Sequence, residues 1–244
     1  MLAPEPDEEA RRVFGPQLAL AQTYARLLVT DGIAHGLLGP REAERIWPRH
    51  LVNSAVVADL LPPSVQVVDI GSGAGLPGLP IAIRRPDLSV VLVEPMLRRT
   101  RFLESAVAEL ALAARVSVLR GRADDPEIVR ALGGSLWIVA RAVAPLDRLV
   151  KWCLPLLGPG GRLLAIRGAG AGAEVESWNE KSASRGRESV SAVVARPVGV
   201  GASATWVVEV QRAESGASDR GSAKTRGRMR ARTGGKARSR ERRR

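Results

Sequence analysis

Over the first sixty positions the apolar residues recur mostly at helical spacing; from Val65 onward they gather into short β-branched runs separated by amphipathic stretches. Between residues 14 and 29, Leu18, Leu20, Ala21, Tyr24, Ala25, Leu27 and Leu28 predict a helix, which Asp31-Gly32 stops. Residues 33–39 read as a glycine-broken connection. Pro40 opens a predicted helix over 41–47 that Pro48 interrupts, and a further helix over 51–61 ends at Pro62-Pro63. Residues 1–11 are expected to be frayed.

The second part alternates. Strands are predicted at 65–70, 88–94, 116–119, 136–140 and 162–166, and helices at 79–85, 98–112 and 146–157. Phe102, Leu103, Ala106, Val107 and Leu110 form one apolar stripe on the second of these helices. A weaker helix follows at 174–181, then β runs at 190–194 and 205–210 that would close the sheet as an antiparallel pair. Strands alternating with helices predict an α/β fold: a mostly parallel seven-stranded sheet with helices on both faces, preceded by N-terminal helices. After Gln211 the large apolar residues almost vanish. Such a stretch cannot bury enough surface to offset its ordering entropy, so it is expected to be disordered. The chain thus divides into a helical portion (1–63), an α/β domain (64–211) and a basic tail (212–244).

Composition alters this picture mainly through charge. The net charge is +12, but residues 212–244 carry thirteen Lys or Arg against three acids, so the body is close to neutral. The single cysteine, Cys153, excludes an internal disulfide framework and fits a reducing compartment. The acidic, proline-bearing start does not read as a signal peptide, and no apolar run reaches membrane-spanning length. A soluble, cytoplasmic protein is expected.

The chemistry concentrates where the first strand ends, in Asp69-Ile-Gly71-Ser-Gly73-Ala-Gly75-Leu76-Pro77-Gly78. Glycines allow a sharp turn and a close backbone approach to a ligand, and the following helix offers unpaired N–H groups. Gly73 to Gly78 also satisfies the dinucleotide pattern G-x-G-x-x-G, which normally begins as the strand ends. Here Asp69 comes first, placed to orient a water or meet an ammonium group that a pyrophosphate cofactor lacks. Asp-x-Gly-x-Gly-x-Gly is the usual first motif of class I (Rossmann-like) methyltransferases, which points to S-adenosylmethionine. Glu94 ends the second strand, where an acid can accept from both ribose hydroxyls; the plain alternative is a solvated strand-end acid. Ala123 and Asp124 follow the third strand, where this fold often sets an acid against the adenine amino group, although Asp-Asp-Pro is also a helix-start signal.

The residues after the fourth strand bear on the acceptor. Methylases of exocyclic amines carry Asp/Asn-Pro-Pro-aromatic there, whereas this chain has Ala140-Arg141-Ala142-Val143-Ala144-Pro145. Cys153 lies mid-helix between Trp152 and Leu154 and reads as a packed thiol rather than a nucleophile. No His-rich or Cys-rich cluster suggests a metal, and His35 and His50 read as structural. An acceptor that is already nucleophilic, such as guanine N7, fits a site without an obvious base. Arg141 is the candidate for placing the substrate or the methyl donor. Arg98, Arg99 and Arg101 either meet phosphate or form a solvated face.

The segment Val68-Asp-Ile-Gly-Ser-Gly-Ala-Gly-Leu-Pro-Gly-Leu-Pro-Ile81 resembles the glycine loop of the glucose-inhibited division protein B family, the small-subunit rRNA guanine-N7 methyltransferases (RsmG). The similarity continues in Arg49-His50-Leu51, Asn53-Ser54, Arg98-Arg99-Thr-Arg-Phe-Leu103, Ala140-Arg141-Ala142 and Gly160-Gly-Arg-Leu-Leu164, and it spans about 36–211. It implies a class I methyltransferase acting with S-adenosylmethionine on N7 of one guanine in the 530 loop of 16S rRNA, on the small ribosomal subunit, as a monomer. It places cofactor contacts on Gly71, Leu76, Ala123, Asp124 and Arg141, with Glu94 as the strand-two acid; Asp69 and Gly73 complete the expected set. Arg167 stands where many members have lysine, and the tail exceeds the family's usual length, so neither inherits a role. The tail itself reads as an electrostatic arm for rRNA. Two other readings remain: a class I methyltransferase with a small-molecule or protein acceptor, and a non-catalytic ribosome-assembly protein.

Overall fold

The structure is a computed structural model that describes residues 3–183, 189–199 and 204–214. The expected tail lies outside the described residues from 215 onward, and its first residue, Arg212, belongs to the last strand.

A helix begins at Glu8, which corrects the expectation of fraying over residues 8–11. Asp7 caps α1 (Glu8–Phe14) by accepting a hydrogen bond from the Ala10 amide at 2.7 Å. Ala10 and Phe14 are buried, and the Phe14 ring meets Trp47 edge-on at 6.3 Å. Helix α2 (Leu18–Leu27) passes into a wider π turn, Leu28–Gly32. Pro48 does not interrupt a helix. A 3₁₀ turn, Pro40–Arg45, ends at Arg45, and a new π-type segment, Ile46–Val52, begins there and runs into α3 (Asn53–Ala55) and a final 3₁₀ turn, Val56–Leu60. Pro48 therefore sits in a first turn, where its missing N–H has no helical partner to lose.

From Gln66 strands and helices alternate as expected, except that a helix at Pro126–Leu132 was not predicted and the fifth strand begins at Leu157 rather than at 162. The strands are β1 (Gln66–Ile70), β2 (Ser89–Glu94), β3 (Val116–Arg120), β4 (Ser135–Arg141), β5 (Leu157–Arg167), β6 (Val190–Val198) and β7 (Thr205–Arg212). They form one seven-stranded sheet in the order β3-β2-β1-β4-β5-β7-β6. The first five pair in parallel, and β7 lies antiparallel to both β5 and β6. The helices are α4 (Gly78–Arg84), α5 (Leu97–Glu109), α6 (Pro126–Leu132), α7 (Leu146–Cys153) and α8 (Ala171–Ala183).

Strand alternation divides the core. Val67, Val90 and Leu92 face the N-terminal helices, α4 and α5, while Val68, Ile70, Val91 and Val93 face α6, α7 and α8. Helix α7 ends earlier than predicted, at Cys153, whose thiol is buried and pushed up to about 12 by that burial. Strand order reverses between β1 and β4. In an open parallel sheet the crevice at that switch, beyond the carboxyl ends of the strands, is where a ligand fits. No helix among the described residues is long and apolar enough to cross a membrane.

Candidate active site

At the end of β1 the backbone enters the left-handed region, with φ of +70° at Gly71 and +60° at Gly73. A Cβ on Gly71 would also come within 2.9 Å of Val143, so only glycine suits this turn. The Gly71 and Ser72 amides both donate to the Val93 carbonyl, at 2.9 and 3.1 Å, tying the loop to β2.

Asp69 lies beneath this loop, fully buried on the face shared with Val67. Its Oδ2 accepts from the Ser72 hydroxyl at 2.6 Å and the Gly78 amide at 2.9 Å, bridging the start of the loop to α4. Its Oδ1 is buried without a hydrogen-bond partner. Burial raises the carboxyl to about 7; the bonds from Ser72 and Gly78 oppose the shift, and the charge of Glu94 adds to it. With a folded-state value above the unfolded one, the native chain keeps a proton that the unfolded chain has lost. The stability contributed by this group is full below the ordinary carboxylate value of 3.8 and is lost as pH rises to about 7. Asp69→Asn should flatten that decline, as read from urea unfolding at about pH 5 and about pH 8; an unchanged slope would sink this account.

Glu94 joins the loop from the other side. Its Oε2 accepts from the Gly73 amide at 2.9 Å and its Oε1 from the Met96 amide at 3.0 Å, while the Arg99 guanidinium stands 3.9 Å away. The acid is nearly inaccessible to solvent, so it is not the solvated strand-end residue of the plain alternative. Tyr24, read from sequence only as part of an apolar stripe, donates its hydroxyl to the Ala74 carbonyl at 2.7 Å. Burial, reinforced by the Asp69 charge, raises that phenol well above its ordinary value and keeps it protonated as a donor.

These elements enclose a cavity of about 470 Å³. Seven of the eight residues expected at the cofactor line it: Gly71, Gly73, Leu76, Glu94, Ala123, Asp124 and Arg141. Asp69, the eighth, supports the loop from below. The ambiguity at Asp-Asp-Pro is divided between the two acids. Asp125 occupies the N-cap position of α6 and accepts from the Arg122 amide at 2.7 Å, whereas Asp124 stays at the cavity rim. Met96, 47% exposed, adds an apolar wall that no motif in the chain singles out.

Arg141, at the end of β4, turns toward the N-terminal helices. It donates to the Ser54 hydroxyl at 3.0 Å, the Arg49 carbonyl at 2.9 Å, and the His50 carbonyl and Nδ1 at 3.4 Å each. Burial, then the nearby Arg49 charge, lowers its pKa from the usual arginine value. His50 Nε2 meets Glu42 at 2.7 Å, so the tautomer that satisfies both contacts carries its proton on Nε2. Burial holds His50 below its ordinary value, opposed by the Glu42 bond. Read as a lone structural histidine, His50 in fact lines the cavity; its only sequence signal was its position beside Arg49 and Asn53.

A parallel sheet in this order, with a glycine loop, a β2 acid and the carboxyl ends of β3 and β4 around one cavity, defines a class I methyltransferase, an enzyme that takes its methyl group from S-adenosylmethionine. Pyrococcus horikoshii TYW2, solved in complex with MeSAdo, has a similar fold: TM-score 0.50 at 15% identity over 69% of this chain and 64% of that one. The profile of the GidB family, described as rRNA small subunit methyltransferase G, matches residues 17–198, and the chain belongs to that family. The chain is 59% identical over 176 residues to Ribosomal RNA small subunit methyltransferase G of Salinispora tropica, covering 70% of this chain and 72% of the relative. It is 54% identical over 187 residues to the protein of the same name from Mycobacterium marinum, covering 77% and 81%.

Proposed function

We propose that this enzyme methylates N7 of a guanine in the 530 loop of 16S rRNA, acting on the small ribosomal subunit or its RNA as a single chain in the cytoplasm. Family membership supports the rRNA substrate. The observation that carries the N7 acceptor is that the acids and the histidine lining the cavity are already engaged, Asp124 by Arg122 at 3.1 Å. Both oxygens of Glu94 accept backbone amides, and both ring nitrogens of His50 are engaged by Glu42 and Arg141. Guanine N7 presents an in-plane lone pair and no proton, so its methylation needs positioning rather than a base.

The residues present fit the methyl donor. Glu94 would take the ribose hydroxyls through its remaining lone pairs, Asp124 and the Ala123 backbone the adenine edge, and Met96 one face of the ring. The bare backbone of Gly71 and Gly73 would lie against the methionine end, and the unpartnered Oδ1 of Asp69 leaves a buried carboxyl oxygen beneath the loop. When bound, S-adenosylmethionine would supply a sulfonium methyl for the N7 lone pair to take, the C–S electron pair passing to sulfur and the positive charge to the purine.

The test is radiolabelled methyl transfer to small subunits, and to their free RNA, from cells lacking the modification, followed by cleavage chemistry specific for 7-methylguanosine. Label at a cleavable position in the 530 loop is expected; label on protein, or on RNA that resists cleavage, would overturn the reading. A protein that binds no S-adenosylmethionine by calorimetry would leave only the assembly-protein reading. The arm proposed for the tail is tested by truncation after Glu214 rather than after Gln211, because Arg212 donates to the Leu157 and Leu154 carbonyls and secures β7. Truncation should weaken RNA binding and flatten its dependence on salt while leaving cofactor affinity intact. An unchanged salt slope would refute the arm.

A further inference from the structure

A second cavity, of about 480 Å³, opens beside the first. Arg49, Asn53, Ile166, Arg167, Gly168, Thr205 and Trp206 line it, and it shares Arg141 and Ala142 with the first cavity. The two divide the carboxyl edge of the parallel sheet. The first collects the ends of β1, β2 and β3, while the second collects the end of β5 and the start of the antiparallel β7; the end of β4 is the wall between them. A transferase must hold donor and acceptor on two sides of one boundary, with the reacting atoms about 3–3.5 Å apart.

The wall is also where the backbone is strained. Ala142 has a φ of +51°, a left-handed conformation that costs a residue with a side chain about 1–3 kcal/mol and is found where surrounding structure enforces it. This bend follows directly on Arg141, whose side chain is fixed by Ser54 and the Arg49 carbonyl, and precedes Val143, which packs against Gly71.

The lining of the second cavity suits a nucleotide. Among the described residues no acid lines it, whereas Arg49, Arg141 and Arg167 all do. Arg167 is held still by Glu174 at 2.9 Å and the Ala144 carbonyl at 2.9 Å, with 11% of its side chain exposed. Arg49 is 57% exposed and gives one contact to Glu42 at 3.3 Å, which leaves most of its guanidinium fork for a phosphate. Trp206, half-buried near the start of β7, also lines the cavity, and it packs in part against the α7–α8 face of the core. Unstacked bases of single-stranded RNA are held this way, against an aromatic ring with arginine on the backbone.

We propose that this second cavity is the acceptor-base pocket: one purine leaves its stack, lies against Trp206, and presents its edge past Ala142 to the donor cavity, with Arg49 on its flanking phosphate. The assignment rests on the rRNA reading above and adds the residues that hold the base. Trp206 and Arg49 are positioning residues, and Arg141–Ala142 is the boundary across which the methyl passes.

Steady-state methyl transfer to 16S rRNA by the full-length chain tests this, with S-adenosylmethionine affinity measured by calorimetry on the same samples. Trp206→Ala should lower kcat/KM for RNA about 10- to 100-fold, the range expected for losing one stacked base. Trp206→Phe should recover most of that loss, and both should bind the cofactor as the unaltered protein does. A Trp206→Ala rate within about twofold of the unaltered enzyme, or a parallel fall in cofactor affinity, overturns the assignment. Arg49→Ala, at an exposed side chain, covers the case in which Trp206→Ala does not fold. It should raise KM for RNA and reduce the log–log salt slope of RNA affinity by about one. An unchanged KM and slope there, with Trp206→Phe indistinguishable from the unaltered chain, overturns the pocket too. If the unaltered enzyme methylates the rRNA and the variants do not differ, only the pocket assignment falls. An unaltered enzyme inactive on rRNA removes the function reading and the pocket with it.

Discussion

Glu94→Ala should reduce S-adenosylmethionine affinity by at least about 100-fold. The carboxylate is buried and bridges the backbone amides of two residues that line the donor cavity, Gly73 at 2.9 Å and Met96 at 3.0 Å. Hydrogen bonds to a charged group contribute about 1.5–3 kcal/mol each, and truncation leaves both donors in a site that solvent reaches poorly. Two such losses, even partly recovered by water, exceed the 2.7 kcal/mol or so that corresponds to 100-fold. The direct contact with the ribose would be lost as well. Glu94→Gln separates the contributions. Its amide keeps one acceptor oxygen but turns an NH₂ toward one of the backbone amides, so a loss between those of alanine and the native acid is expected. Calorimetry with S-adenosylmethionine, and with S-adenosylhomocysteine to remove the sulfonium charge, reads both variants. A change of threefold or less in Glu94→Ala would mean that the loop holds its shape without the acid and that the ribose lies elsewhere.

The contrast between Glu94 and Tyr24 indicates which parts of this site can be read from sequence. Glu94 announces itself because a β-branched strand ends on it at a fixed distance from the glycine loop. Strand periodicity and glycine spacing are local properties, and they carried the sheet, the helices on its two faces and the candidates Asp69, Gly71, Gly73 and Glu94, whereas Leu76 rested on the family resemblance alone. Tyr24, His50 and Ser54 act across the sheet edge from the helical portion, through bonds to Ala74 and Arg141 that span 50 to 91 positions. Nothing in a helical stripe distinguishes a tyrosine whose hydroxyl will donate to a loop carbonyl from one that merely fills the core. Two of the missed backbone features have local causes read with the wrong weight. Asp7 is an N-cap rather than part of a loose acidic start. Pro48 was weighed as a breaker because its position within a helix was unknown, and in a first turn it costs nothing. The second cavity was invisible for a different reason. Its walls come from the helical portion, β4, β5 and β7, and only the strand order brings Trp206 beside Arg49.

Arg141→Ala should separate catalysis from stability. This guanidinium joins β4 to the helical portion through Ser54, the Arg49 carbonyl and His50, and it lies on the boundary shared by the two cavities. Alanine would remove those bonds and leave their acceptors unpaired. It would also remove a desolvated cation that burial and Arg49 already disfavour, so the two effects oppose each other in the folding equilibrium. Net destabilisation of about 1–3 kcal/mol is expected, read from urea unfolding. Turnover has no such offset. Losing the tie lets Ala142 and the Arg49–His50 segment relax on both sides of the transfer boundary, and a misplacement of about 1 Å there can cost about 100-fold in rate. Arg141→Lys is the sharper variant, because it keeps the charge but replaces a planar fork with a point donor that cannot span Ser54 and the Arg49 carbonyl together. It should retain most of the stability and most of the cofactor affinity while losing about tenfold or more in kcat. Single-turnover methyl transfer at saturating S-adenosylmethionine makes the measurement. A lysine variant with native kcat would show that charge alone suffices at this wall, whereas parallel loss of stability and turnover in both variants would reduce Arg141 to a structural clamp.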